Sequence, residues 1–394
     1  MIRRVFNLPV LLVLSIFSTQ MALDFYVPSL PMVASYFVVG EEVAQLTLTW
    51  SLIGFAIGSL MSGPISDVYG RRKILLSSYI VFVISTFLCA VAPDIALFIV
   101  VRFIQGVAAS CAPIMSLAMV KDLYAPKEAS RLMSIMGAAI ALSPATAPFL
   151  GGYITYYYDW RMCFWILTVA AVIILIPLYL YLPETLKKQE RHVVSFSLKE
   201  VLYGYFETLK NWNFIRVALI SSMFVSSIWV YVGNAPFIFE KMGVGPSEFG
   251  MYYGIGVGGY VLGSALNSIF GGRFSFHSTL SLGFLLIILG SGYLMYLSYG
   301  PVIVPMTMAL TWCVYSFGLS LVFPITNTMA MTAGKKSGTS ASLLNGLELL
   351  FSSFGIMVVG SKHNSNFVGV ALFCILTSVI AFAIYRLGTK QQNI

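Results

Sequence analysis

Three ionisable residues stand inside long apolar stretches of the chain: Asp24, Arg102 and Glu348. A charge in hydrocarbon is costly, so an ionisable group there is a functional candidate by default. A carboxylic acid in a low-dielectric site holds its proton to higher pH, and a nearby guanidinium favours the ionised form. Moving an arginine relative to a carboxylate is therefore a way to load and release a proton. The chemistry these residue types suggest is proton carriage, with Asp24 or Glu348 as carrier and Arg102 biasing protonation. Two plainer readings compete: an ion pair that only locks helices, and an acid near enough to the surface to be solvated. No nucleophile–base set or phosphate loop points to an enzyme. The five cysteines are scattered through or beside apolar runs and the three histidines fall in expected loops, so no disulfide framework, metal or cofactor is expected.

What must position these residues is a membrane. The 394-residue chain is 58% hydrophobic and only 10% charged, against roughly 25% charged in a soluble domain. A span needs about 20 residues. Apolar runs of that size lie near 6–30, 43–67, 74–92, 95–120, 130–156, 162–182, 214–238, 249–270, 278–298, 301–324, 338–360 and 366–386. The expected fold is an all-α membrane protein of twelve transmembrane helices, with no room for a further domain. At 1.5 Å per residue, Asp24 lies about 27 Å from the inner end of its run. Arg102 lies about 12 Å from the outer end of its own, and Glu348 about 15 Å past Gly338.

The stretch from Gly58 to Lys73, GSLMSGPISDVYGRRK, organises the rest. One apolar run ends there at Gly63-Pro64, followed by Asp67, the turn glycine Gly70, and Arg71-Arg72-Lys73; the next run begins at Ile74. So short a loop makes an antiparallel hairpin, and its cations hold it in the cytoplasm. Most of the 23 lysines and arginines fall on that same side if both termini share it. The net charge of +8 then reflects topology rather than a nucleic-acid partner, and both termini are cytoplasmic. The stretch Met1–Leu23 lacks a small-x-small cleavage site and runs on into Asp24, so it reads as a retained first span.

An internal repeat doubles this plan. Tyr26-Val27 and Pro31 recur 205 residues on as Tyr231-Val232 and Pro236, and Gly54, Gly58 and Ser59 as Gly259, Gly263 and Ser264. Two six-span halves in parallel repeat follow, 1–182 and 214–394, with a substrate path between them. The linker, 183–213, carries a capping box, Ser197-x-x-Glu200. After it Leu198, Val201, Leu202, Tyr205, Phe206 and Leu209 share one helical face. A short helix lying on the cytoplasmic interface fits this pattern, and a solvated linker is the alternative.

Several motifs carry a family resemblance. G-x-x-x-D-x-x-G-R-R-K at Gly63–Lys73 resembles the loop between spans two and three of the major facilitator superfamily. Arg102-Phe103-Ile104-Gln105-Gly106 resembles that family's fourth-span R-x-x-Q-G signature, linked there to proton coupling. Ser143-Pro144 and Pro148-Phe149-Leu150-Gly151-Gly152 resemble its antiporter signature G-P-x-x-G-G, although Ala147 stands where glycine is usual. Asp24-Phe25-Tyr26-Val27-Pro28-Ser29-Leu30-Pro31 resembles the first span of Bcr/CflA-type drug efflux proteins. Asp159-Trp160-Arg161 with Phe164-Trp165, and Ser337–Ser342, resemble two further stretches of that branch; at the position of Glu348 glutamine is more usual there. The resemblance implies two pseudo-symmetric six-helix bundles and proton-coupled export of drugs.

Residue roles follow as expectations. An aromatic substrate surface is drawn from Tyr26, Trp50, Phe55, Trp229, Tyr231 and Tyr260, with Gln105 beside it. Such walls suit hydrophobic drug-sized molecules better than sugars. Asp67 is expected to dock on the N-terminus of span eleven as an inner latch; a turn-forming aspartate is the plainer role. The expected partners are a small-molecule substrate, protons and the lipid bilayer, with the chain acting as a monomer in a bacterial inner membrane. Rival readings are an exporter of an endogenous metabolite such as a siderophore or amino-acid derivative, a proton-coupled nutrient importer, and a non-transporting receptor or anchor.

Overall fold

The computed structural model describes residues 8–186, 197–270, 273–300, 304–333, 337–360 and 367–392. The extreme N-terminus, the middle of the linker, His192 and His363 lie outside the described residues. Among the described residues the chain is helical. In order the helices are α1 (Leu8–Asp24), α2 (Leu30–Phe37), α3 (Glu41–Tyr69), α4 (Arg71–Ala90), α5 (Ile95–Ala109), α6 (Cys111–Leu123), α7 (Pro126–Tyr157) and α8 (Trp160–Tyr181). There follow α9 (Leu198–Leu209), α10 (Trp212–Lys241), α11 (Pro246–Phe270), α12 (Phe276–Ser298), α13 (Pro305–Ala333), α14 (Ser337–Gly360) and α15 (Phe367–Gln392). Counting α1–α2 and α5–α6 each as one broken span, 11 segments among the described residues are long and apolar enough to cross a membrane. The expected eighth span is also a helix, α11, at 25 residues.

Local chemistry sets the boundaries. Pro28 sits in a short 3-10 turn, Val27–Ser29, that separates α1 from α2, because proline has no N–H to continue the ladder. Asp94 caps α5 by accepting from the Leu97 N–H at 2.9 Å, and Asn211 caps α10 through the Asn213 N–H at 3.0 Å. The capping expected at Ser197 is present in its first half: its hydroxyl accepts from the Glu200 N–H at 3.3 Å. Between α3 and α4 the turn rests on Gly70 at φ 99°, a backbone region that only glycine enters freely.

The described chain forms two compact units, Met1–Val27 with Leu46–Leu202, and Pro28–Gln45 with Tyr203–Ile394. In the first, a Cβ at Gly54 would collide with the Phe103 carbonyl, and one at Gly58 with the Ser110 hydroxyl. In the second, Gly259 meets the Cys313 carbonyl and Gly263 the Ser320 hydroxyl in the same way. Glycine lets two backbones approach this closely, which is how membrane helices gain packing without a hydrophobic drive. The glycine helices match at the offset of 205 and their partners at 210, so the repeat seen in sequence recurs as repeated packing.

Candidate functional site

The first unit holds Asp24 and Arg102. Asp24 ends α1, is 4% exposed, and has no hydrogen bond or ion pair among the described residues. Arg102, on α5, is fully buried. Its fork does not reach Asp24 as an ion pair. Nη1 donates to the Ala22 carbonyl at 3.0 Å and to the Gln105 Oε1, and Nε donates to the Thr47 carbonyl at 3.3 Å. The guanidinium lies over the Tyr26 ring, 4.3 Å from its centre, and 5.8 Å from that of Phe164. The reason is the break after α1. Ala22 is among the last four residues of a helix, whose carbonyls lack intrahelical partners, and a cation there also meets the negative end of the dipole. Gln105 is held in turn by donating to the Thr86 hydroxyl at 2.8 Å. A buried charge is tolerated only when so satisfied, although Arg102 Nη2 remains without a partner.

In the second unit Glu348 on α14 is 7% exposed and accepts a short hydrogen bond from Ser221 on α10. Among the described residues each unit therefore carries one buried carboxyl. They differ in that Glu348 has a hydroxyl donor and Asp24 has none.

The helix expected to end at Gly63-Pro64 instead runs through Pro64 to Tyr69. The 63–73 stretch, the last turns of α3, Gly70 and the first turn of α4, is a hub inside the first unit. Arg71 pairs with Asp67 at 2.7 Å and with Asp122 of α6 at 3.6 Å; it also bonds the Ser66 hydroxyl. Arg72 donates to the Tyr179 carbonyl of α8 at 2.9 Å, and Lys73 lies over Tyr69. Asp67 remains exposed on its other side and Gly63 has open space around it. A residue read only as the start of a linker, Glu184, proves central. Its Oε1 accepts the backbone N–H groups of Arg71, Thr185 and Leu186 at 3.0, 3.0 and 3.1 Å. The available signal was Pro183-Glu184-Thr185 directly after the sixth apolar run.

In α7, Pro144 and Pro148 each leave a carbonyl one turn back without its donor. Gly151 and Gly152 are buried, and a Cβ on Gly151 would collide with the Phe25 carbonyl, so α7 presses on the break after α1. The aromatic residues divide. Tyr26, Phe55 and Tyr231 are enclosed by protein, Tyr26 bonding Thr47 at 3.0 Å and Tyr231 stacking on Trp312 at 3.7 Å. Trp229 and Tyr260 are half-buried, and Trp50 is 41% exposed with its ring against Phe103.

A family model described as Major Facilitator Superfamily matches residues 12–356. The chain is 29% identical to the Uncharacterized MFS-type transporter YdgK of Bacillus subtilis (strain 168), over 94% of this chain and 92% of that one. It is 23% identical to the Multidrug resistance protein MdtL of Escherichia coli O157:H7, over 91% and 90%. Among solved structures, a D-xylose-proton symporter superposes with a TM-score of 0.76 at 17% identity, covering 96% of this chain and 97% of that one.

Proposed function

The chain belongs to the Major Facilitator Superfamily, and from that premise we propose that it is a proton-coupled exporter of hydrophobic, drug-like molecules, of the Bcr/CflA type, working by alternating access. The family is one of transporters rather than enzymes, and this chain is a multi-pass membrane protein. The observation that carries the reading is one buried carboxyl among the described residues of each unit, Asp24 and Glu348. In the outward-open state a carboxyl takes a proton and cargo leaves; in the inward-open state the proton departs and cargo enters. One proton moving inward down about 100 mV contributes about 2.3 kcal/mol. Arg102 biases the exchange by competing for the carboxylate when it leaves the Ala22 carbonyl. The drug-like cargo is supported by the likeness to a multidrug resistance protein. Residues 1–182 and 214–394 act as the moving halves in a bacterial inner membrane, with both termini cytoplasmic and Asp67 serving the inner gate. Everted vesicles with an acidified lumen test this: candidate drugs should discharge the gradient in vesicles carrying the protein, and failure of a broad drug panel to do so overturns the cargo assignment.

A further inference from the structure

We propose that Arg216, seated in a notch of α15 at Gly388, forms a binding site for the phosphate of an anionic membrane lipid. Arg216 lies on α10 and is only 8% exposed. Its guanidinium lies directly against Gly388, where any Cβ would collide with Nη1, Cζ and Nε. Among the described residues it has no hydrogen bond and no ion pair. Two other arginines set into the protein, fully buried Arg102 and half-buried Arg161, behave differently. Arg102 and Arg161 spend their forks on backbone carbonyls, Arg161 on those of Ala90 and Ala92 at 3.0 and 2.6 Å. An uncompensated buried charge is strongly destabilising, so a guanidinium with no partner among the described residues is arranged for an anion from outside.

Position identifies the anion. α10 opens at Trp212, which is 62% exposed, and exposed tryptophan at the end of a membrane helix belongs at the headgroup level. Arg216 stands one turn further along the same face, about 6 Å deeper. An arginine at that depth reaches back toward the phosphates. A second cation of α15, Arg386, lies two residues before Gly388, over the Phe382 ring at 5.9 Å. The acid nearest in sequence, Glu207 of α9, is paired with Lys210 at 2.7 Å. The planar fork matches two phosphate oxygens at once, and basic pockets between membrane helices take lipid head groups. A lipid phosphate here would also join α10 to α15 across the Gly388 notch.

The test uses the purified full-length chain in neutral detergent, titrated with phosphatidylglycerol, with phosphatidylcholine of the same acyl chains, and with inorganic phosphate, reading melting temperature and lipid adducts by native mass spectrometry. Phosphatidylglycerol alone should give a saturable rise in melting temperature. Arg216→Gln and Gly388→Ala should each weaken it about tenfold in apparent affinity, while Lys127→Gln leaves it unchanged. Should Arg216→Gln fail to fold, Gly388→Ala, which keeps the charge, decides. Wild-type affinity in the foldable variants overturns the site. Equal response to phosphatidylcholine, or saturation by inorganic phosphate, overturns its lipid assignment. The site requires only that α10 and α15 cross the bilayer, so its failure leaves the transport reading standing.

Discussion

The Arg102 guanidinium sits 4.3 Å from the centre of the Tyr26 ring. In the register set by the glycine crossings, the second unit places Trp312 and Tyr231 at those positions, stacked at 3.7 Å and 7°. Gln105 corresponds to Tyr315, which stacks on Trp312 at 4.7 Å. One backbone arrangement is thus filled twice, by a charged and hydrogen-bonded set in the first unit and by three rings in the second. The charged, hydrogen-bonded set around Arg102 has no copy at that place in the second unit, where the buried acid Glu348 sits elsewhere, on α14.

The Arg102–Tyr26 contact can be separated into parts. Tyr26→Phe removes the hydroxyl that meets Thr47 at 3.0 Å and should cost about 1 kcal/mol. Tyr26→Leu also removes the ring face under a desolvated guanidinium, adding about 2 kcal/mol. Arg102→Lys keeps the charge but cannot bond Ala22 and Thr47 together, so it should lower both stability and transport. Thermal unfolding in detergent ranks the variants. Equal melting for Tyr26→Phe and Tyr26→Leu would show that the ring face contributes nothing.

The two carboxyls should respond unequally to neutral replacement. Asp24 has no hydrogen-bond partner, so Asp24→Asn should leave the melting temperature within a few degrees while abolishing drug-driven proton release from everted vesicles. Glu348→Gln should abolish coupling as well, and it also alters the bond from Ser221. Ser221→Ala, which leaves the Glu348 carboxyl in place without its donor, should shift the pH dependence of transport where Asp24→Asn removes transport altogether. Uphill transport retained by both carboxyl variants would reject them as carriers.

Much of this was legible in the chain because it is local. Apolar runs of span length, the Pro28 break, the Asp67–Gly70–Arg71 turn and the Gly54/Gly58 pair with its repeat each state their own physics within a few residues. Arg102's partners were not legible. They are the carbonyls of Ala22 and Thr47, freed or exposed by how helices end and cross, and a carbonyl looks the same at every position of a sequence. Glu184 was missed for a related reason: its three donors are backbone N–H groups, one of them at Arg71, more than a hundred positions away. The orphan guanidinium of Arg216 was hidden until Gly388 was seen to be its seat.

The loop hub predicts an order of severity. Gly70→Ala forces a side chain into φ 99°, costing about 1–2 kcal/mol of local strain. Glu184→Gln keeps the shape but weakens three charge-assisted bonds, each about twice the strength of a neutral one. Asp67→Asn removes an exposed pair with Arg71, and exposed pairs contribute about 0–1 kcal/mol. Limited proteolysis in detergent should therefore cut near residues 69–73 faster in Gly70→Ala and Glu184→Gln than in Asp67→Asn. If Asp67→Asn alone abolishes transport while its loop stays protected, the loss lies in gating rather than in folding of the hub.

Residues 28–45 pack with the second unit, and two contacts hold them there. Gln45 is buried and donates to the Gly233 carbonyl at 3.1 Å and to Asn234 Oδ1 at 3.0 Å, and Lys241 pairs with Glu41 at 2.9 Å. The ion pair is partly exposed, so breaking it by Lys241→Gln should cost about 0–1 kcal/mol. Gln45→Leu strands one buried group, the Asn234 amide oxygen, and should cost about 1–3 kcal/mol, while the Gly233 carbonyl lies inside α10 and keeps its helical donor. If this segment must leave α10 once per cycle, tethering it should arrest transport without unfolding the protein. Joining Glu41→Cys to Lys241→Cys by a short thiol-reactive linker should stop drug-driven proton release, and a reducible linker should restore it on reduction. Undiminished transport by the fully linked protein would mean that α10 and residues 28–45 travel together as one body throughout the cycle.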